Sequence, residues 1–284
     1  MKHIIVPIDF SDESLNGLKM AILYANQFKA HLQMIYVEKT SSEIGKVNIE
    51  EEHKQVIVEF EKIIKGYGSK FHDSSKFEFF IKRGKVYQEV VSHADQYDNS
   101  VIILSTHGAS GFEEFFIGSN ALKIISASDK PVITVKHGAT ARAIKTIVLP
   151  IDSTVNTRQK APYTAVIAKA FNATIHVLGT CSSTDKELVR RMNNYVGQVC
   201  DYLDKQEVTY IAESIKGKGF STSILQYAAE VDADLISIMT EQSGSLSDIV
   251  LGTNAQQVIS KSNVPVLNIT PKEVSVRGAF SISG

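Results

Sequence analysis

His3-Ile4-Ile5-Val6-Pro7-Ile8-Asp9 returns later in the chain as Thr146-Ile147-Val148-Leu149-Pro150-Ile151-Asp152, a short apolar run closed by Pro, one apolar residue and Asp. Two more landmarks recur in the same order. Gly118-Ser119-Asn120-Ala121 comes back as Gly252-Thr253-Asn254-Ala255, and Lys130-Pro131-Val132-Ile133-Thr134-Val135 as Val264-Pro265-Val266-Leu267-Asn268-Ile269. The offset falls from 143 residues at the first landmark to 134 at the other two, so the second copy lacks nine residues between them, most simply in loops. The 284 residues therefore read as one unit used twice, each long enough to bury its own core. The division falls within 137–143, where the sequence is small, polar and without periodicity; the domains are expected at 1–138 and 144–271, with a tail over 272–284.

Within the first unit, apolar runs of strand length alternate with longer helical patterns. Strands are expected near 2–9, 31–37, 77–83, 100–105 and 131–136, and helices after Ser11 or Asp12 and over 50–66, 85–97 and 118–128. The second unit repeats the plan, with strands over 145–151, 174–179, 209–215, 235–239 and 266–269 and an outer helix around 187–203. Continuous Ile/Val/Leu runs rather than strict alternation mark strands covered on both faces. The fold class that follows is α/β: two tandem, doubly wound, five-stranded parallel sheets, Rossmann-like, each of order 3-2-1-4-5 and related by a pseudo-twofold. The final strand of each unit is short, follows a Pro and would lie at an open edge, so the two edges are expected to pair within the chain, with a further homodimer as an alternative.

Composition narrows the functional classes. Thirty basic residues nearly cancel thirty-one acidic ones, which leaves no net field to hold nucleic acid or an anionic membrane. No apolar run approaches the roughly 20 residues of a membrane span. Two cysteines, Cys181 and Cys200, are too few for a disulfide framework, and the run from Met1 meets Asp9 before a signal-peptide core forms, so the cytoplasm is the expected compartment. No G-x-x-x-x-G-K-[ST] loop, G-x-S-x-G elbow, Cys/His cluster or Ser/His/Asp set occurs, and no catalytic or metal-ligating set is assigned.

Doubly wound sheets bind ligands beyond the carboxyl ends of the strands, where the strand order reverses. In the first unit that crevice is flanked by Asp9-Phe10-Ser11 and by Ser105-Thr106-His107-Gly108. Gly108 and Gly111 permit close backbone approach, and Gly118-Ser119-Asn120 opens a helix whose free N–H groups favour an anion. A Gly-rich segment by itself more often only turns a loop. Asp9, placed to accept from a ribose hydroxyl or else to serve as a helix cap, is the second element that favours a nucleotide.

The strand ending Val6-Pro7-Ile8-Asp9, the loop Ser105-Thr106-His107-Gly108, nine residues, then Gly118-Ser119-Asn120 and Lys130-Pro131-Val132 together resemble the universal stress protein (UspA-like) family over nearly the whole chain, copy by copy. Nucleotide-binding members of that family carry G-x-x-G-x9-G-[ST]; here Ser105 stands at the first glycine. The resemblance implies an adenine-nucleotide-binding regulator of the stress response, with ATP, AMP or ADP as ligand and Mg2+ accompanying a triphosphate. It implies that Asp9 holds the ribose with Pro7 and Ile8 beside it. Val37 and Leu104 would line the base pocket, and Ser105, Gly108, Gly118, Ser119 and Asn120 would hold the phosphates, with His107 touching a phosphate or closing the loop. At most slow hydrolysis is expected. In the second unit Met239 replaces Ser105, Glu241 replaces His107 and Gln242 replaces Gly108, so the competent site is expected in the first. The alternatives are a nucleotide-free scaffold with two vestigial crevices, and an adenylating enzyme of a related superfamily, whose Ser-Gly-Gly-x-Asp-Ser loop is replaced here by Asp9-Phe10-Ser11-Asp12.

Overall fold

The inner strands of this chain are buried on both faces, so successive side chains must feed two separate apolar layers. A computed structural model describes residues 1–38, 49–106, 117–136, 138–139, 141–215, 219–240, 242–243 and 250–272. Its first half runs β1 (His3–Pro7), α1 (Asp12–Phe28), β2 (His31–Glu38), α2 (Ile49–Tyr67), β3 (Phe77–Arg83), α3 (Val86–Asp95), β4 (Ser100–Ser105), α4 (Ser119–Ala127) and β5 (Val132–Val135). The second half runs β6 (Thr146–Ile151), α5 (Ala161–Phe171), β7 (Thr174–Thr180), α6 (Lys186–Lys205), β8 (Tyr210–Ile215), α7 (Phe220–Glu230) and β9 (Leu235–Met239). It continues through the two-residue strands β10 (Gln242–Ser243) and β11 (Val250–Leu251) to α8 (Thr253–Lys261) and β12 (Val266–Ile269). In β1, Ile4 and Val6 point into one buried layer with α1 and α2, while Ile5 points into the other with α3 and α4. Helices α5 and α6 extend the first layer and α7 and α8 the second, so each core is continuous across both halves.

The principal sheet has ten strands in the order β3-β2-β1-β4-β5-β12-β9-β6-β7-β8. Each half therefore shows the order 3-2-1-4-5, read in opposite directions from the centre. Neighbours within a half are parallel, as in His3↔His31 for β1 and β2 and Thr146↔Thr174 for β6 and β7. At the centre β5 meets β12 antiparallel, with Val266↔Thr134 and Asn268↔Val132. The buried Asn268 amide donates to the Val132 carbonyl at 3.0 Å, the Val266 carbonyl at 2.9 Å and the Thr134 hydroxyl at 3.3 Å. Beside this seam α1 packs on α5, where the Tyr24 and Phe171 rings meet edge-on at 5.2 Å.

Equivalent side chains tie down the segments that leave the last strands. Asn16 on α1 donates to the carbonyls of Lys136 and Ala139, while Gln159 exchanges hydrogen bonds with the backbone of Lys272. The link between halves is then held by Arg142, whose guanidinium reaches the carboxylates of Asp232 at 3.0 Å and Asp234 at 2.5 Å. Asp234 in turn accepts from the N–H groups of Lys145 and Thr146. The helix after the first strand differs between halves. Residues 155–160 form a 3-10 segment and α5 begins at Ala161. Pro162 lies in the first turn of α5, where its missing N–H costs nothing, whereas a helix begun at the counterpart of Asp12 would place it in the interior.

Replacing Asn268 by Asp substitutes a carboxylate oxygen for the donor that faces two backbone carbonyls. At pH 7 the Asn268→Asp protein is expected to lose about 3 to 5 kcal/mol of stability. The loss should shrink toward pH 5, where a protonated acid can donate again; urea unfolding of both proteins at the two pH values measures it.

Candidate functional site

The turn after β1 is built from hydrogen bonds that its sequence supplies locally. Asp9 Oδ1 accepts from the Ser11 N–H at 3.1 Å and from the Ser11 hydroxyl at 2.5 Å. Ser11 is the N-cap of α1, its Oγ accepting from the Ser14 N–H at 3.2 Å, and the Asp9 N–H reaches the Ser14 hydroxyl at 3.4 Å. Asp9 is thus exposed at the crevice and is also the anchor of an Asx turn, while Ser11 provides the cap. Between them Phe10 adopts φ 63°, a left-handed conformation that costs a non-glycine residue on the order of 1 kcal/mol. Its ring offsets that cost by packing on Tyr36 at 5.2 Å and edge-on against the buried Phe60 at 5.1 Å. Phe10 turns into the core so that Asp9 and Ser11 remain at the surface. Pro7 is half-buried, and Ile8 is buried with its N–H on the Ile35 carbonyl at 2.8 Å.

The neighbouring wall comes from β4, which pairs directly with β1. Leu104 is buried among Ile5, Ile102, Ile117 and Ala121, beneath the start of α4, and supports the crevice floor. Ser105 ends the strand half-exposed, and Thr106 continues past it with its N–H on the Val135 carbonyl. The Thr106 carbonyl then receives the Gly118 N–H at 2.8 Å, which fixes the opening of α4 against the end of β4. Gly118 is the N-cap at φ −56°, with no side-chain cap, and Ser119 and Asn120 are exposed in the first turn. Backbone N–H groups of that turn are the anion-seeking end of the helix dipole. His107 and Gly108, together with Gly111, lie outside the described residues.

Two features of this wall have no signature in the sequence. Gly17, in the second turn of α1, lies so close to β4 that a Cβ there would stand 3.2 Å from the Ser105 nitrogen and 3.5 Å from the Leu104 carbonyl carbon. Glycine is what lets α1 press on the strand end. At the other side of the crevice Val37 is half-buried near the end of β2, which runs one residue beyond the expected limit to Glu38. Glu38 is 4% exposed and is bound by His53 at 2.7 Å and by Arg83 at 2.9 Å. Burial pushes its carboxyl up, but hydrogen bonds and charge from His53 and Arg83 together hold it below the usual carboxylate value.

The second half repeats the Asx turn after its first strand but not the cap, since Thr154 makes no side-chain bond to the helix that follows. Asp152 Oδ1 accepts from the Thr154 N–H at 2.7 Å and hydroxyl at 2.6 Å, and the Asp152 N–H reaches the Thr157 hydroxyl at 3.1 Å. Gly252 caps α8 at φ −57° without a side-chain bond, as Gly118 caps α4. The halves part at the counterpart of Gly17, which is Lys160. That side chain is 2% exposed, and its ammonium donates to the Thr157 carbonyl at 2.7 Å and hydroxyl at 3.1 Å. A buried cation therefore stands at the position where glycine lets α1 press on the strand end in the first half. Half-exposed Met239 stands at the Ser105 position, and β10 pairs antiparallel with β11 after it.

The sequence profile of the universal stress protein family matches residues 1–136 and again 143–269. Universal stress protein MJ0531 of Methanocaldococcus jannaschii is 29% identical over 145 residues, 48% of this chain and 82% of that protein. Universal stress protein YxiE of Bacillus subtilis is 29% identical over 146 residues, 46% of this chain and 97% of that protein. A crystal structure of a universal stress protein from Archaeoglobus fulgidus superimposes with a TM-score of 0.74 at 17% identity, covering 94% of this chain and 98% of its own; at that identity the likeness concerns the fold.

Burial holds the Lys160 ammonium down to about 8, with the Asp152 carboxylate partly opposing the shift. Its folded pKa lies below the unfolded one, so above pH 8 the unfolded chain keeps the proton that the folded chain releases, and stability from this group rises with pH. Relative to Lys160→Met, the wild type should gain up to about 2 kcal/mol between pH 7.5 and 9.5, read from paired denaturant titrations. A difference between the two proteins that is flat with pH would contradict this.

Proposed function

The chain belongs to the universal stress protein family, and on that premise we propose that its first half binds an adenine nucleotide in the crevice between the ends of β1 and β4. The observation that carries this reading is the opening of α4: an uncapped helix N-terminus, held by the Gly118 to Thr106 bond next to the strand whose end bears Asp9. In this reading the first-turn N–H groups and the Ser119 hydroxyl face the phosphates of ATP, ADP or AMP. The exposed Asp9 carboxylate accepts from the ribose, and Val37 borders the base. Asp9 keeps its Asx turn, since a carboxylate can accept several hydrogen bonds. Among the described residues no group of three His, Cys, Asp or Glu side chains is arranged to hold a metal, so Mg2+ belongs to this reading only with a triphosphate.

The second half takes a different role. Its buried Lys160 replaces Gly17, and the reading assigns this half a supporting part, with the β5–β12 seam as the internal counterpart of a dimer contact. In this reading the site serves regulation, with nucleotide occupancy rather than turnover as the signal. No helix among the described residues is long and apolar enough to cross a membrane.

Titration calorimetry of the intact protein with AMP, ADP and ATP, the last with and without Mg2+, tests the site. One equivalent of nucleotide should bind per chain. Gly118→Gln should weaken binding about tenfold or more without loss of fold, because φ −56° suits any residue and, among the described residues, a Cβ there meets the Thr106 oxygen alone, at 3.4 Å. Thr253→Ala, in the first turn of α8, should leave affinity unchanged. Absence of heat from every nucleotide would favour a scaffold with two vestigial crevices.

A further inference from the structure

At the opposite end of the sheet, the amino-terminal ends of β1, β2 and β3, the first half carries a stack of rings. His3 and His31 are register partners on β1 and β2, with ring centroids 5.1 Å apart and planes 17° from parallel. Tyr97, just after α3, covers the other face of His3 at 4.0 Å and 21°. Behind it His93 lies 2% exposed against Phe80 at 4.6 Å and Tyr97 at 5.6 Å. The Gln33 side chain joins these rings. Its Oε1 meets His93 Nε2 at 3.1 Å, and its Nε2 donates to the Tyr97 hydroxyl at 3.3 Å and to Glu78 at 3.4 Å. Because Gln33 Oε1 can only accept, Nε2 of His93 carries the hydrogen in the neutral ring and Nδ1 is where an added proton must go. That Nδ1, and Nδ1 of His3, are buried with no hydrogen-bond partner.

The fold itself does not require this stack. Its counterparts in the second half are Thr146 and Thr174, paired in the same register, and Val231 in place of Tyr97. The Gln33–His93 pair is inverted there into His176 and Tyr227, bonded at 2.9 Å.

We propose that His3, His31 and His93 form an acid-sensitive latch that holds the amino-terminal ends of β1 to β3 near neutral pH and releases them on mild acidification, in the first half of the chain. A proton on His3 places a cation between the rings of Tyr97 and His31. Glu78 is the one carboxylate facing the group, at 3.6 Å from His31. Lys2 beside His3 and Lys82 near His93 are positive and disfavour an added proton. For His3, burial comes first and then the His31 and Lys2 charges in lowering its proton affinity, with Glu78 opposing; for His93, burial and then Lys82 and His3 act the same way against Glu78. Both rings therefore bind protons more weakly folded than unfolded. Stability from them is complete above the ordinary histidine value of about 6.5 and is lost as pH falls through it. Burial also lowers His176, with Glu213 opposing, so the second half carries one such group, bonded to a hydroxyl, rather than a stack.

Amide hydrogen exchange of the full chain at pH 7.5 and pH 5.5, corrected for intrinsic rates, reads the latch segment by segment. Protection of β1 and β2 should fall on the order of tenfold more than protection of β6 and β7. The variant His3→Thr/His31→Thr, which installs the pair the second half already uses, should abolish that excess. Equal changes in both halves, or an unchanged excess in the variant, overturn the proposal. NMR titration of the wild-type histidines gives a reading that needs no variant: His3 and His93 must titrate below free histidine, and values at or above it overturn the latch.

Discussion

Two five-stranded sheets with apolar last strands cannot both end in water, and the antiparallel meeting of β5 with β12 is the constraint to which the rest conforms. Once those edges pair, the apolar layers on either side of the sheet become continuous, and α1 and α5 must pack against each other across the seam. The seam is polar in one respect: Asn268 buries an amide there and satisfies its donors on carbonyls and a hydroxyl of both strands. A fixed set of acceptors selects one register, because a shift by one residue would carry the amide to the opposite face of the sheet. The crevices of the two halves are in this way set at fixed positions in one rigid layer.

The architecture was legible in the sequence to an unusual depth because its signals are local and repeated. Apolar runs such as Ile4 to Val6 and Ile102 to Leu104 can be buried on both faces only in a parallel sheet, and the Pro-Ile-Asp ends returned in register with their partners. The strand limits at 77–83, 100–105, 235–239 and 266–269 agree with the structure because turn residues or prolines bound them. What stayed hidden depends on contacts between distant segments. Gly17 reads as an ordinary helical glycine until the end of β4 is placed against it, and Lys160 reads as a surface lysine because lysine is almost never fully buried. The repeat itself held the clue: aligning the halves puts Lys160 on Gly17, a substitution that a shared backbone cannot accept without change. His3 and His31 likewise lie 28 residues apart and become one stack only through strand pairing.

The candidate site was legible as a place rather than as a set of contacts. Asp9 was read as either a ribose acceptor or a cap, and the structure assigns the cap to Ser11 while giving Asp9 the turn beneath it. The same turn around Asp152 shows that this carboxylate has a structural reason to exist with or without a ligand. Asp9 by itself therefore says little about binding. The discriminating features are those that differ between the halves: glycine against lysine where the first helix meets the fourth strand, and serine against methionine where that strand ends.

That difference also divides the work of the chain. In the second half a buried ammonium is satisfied by Thr157, and Thr146 and Thr174 are register partners where the first half stacks rings. The uncapped helix start at the crevice end is common to both halves, whereas the opposite end of the first half keeps rings whose buried Nδ1 atoms have no hydrogen-bond partner. Strand β1 runs between these two ends, with His3 at one and the Pro7 to Asp9 turn just beyond the other. If the crevice holds a nucleotide as proposed, that ligand, binding only the folded first half, opposes protons that bind the unfolded state, and β1 connects the two ends.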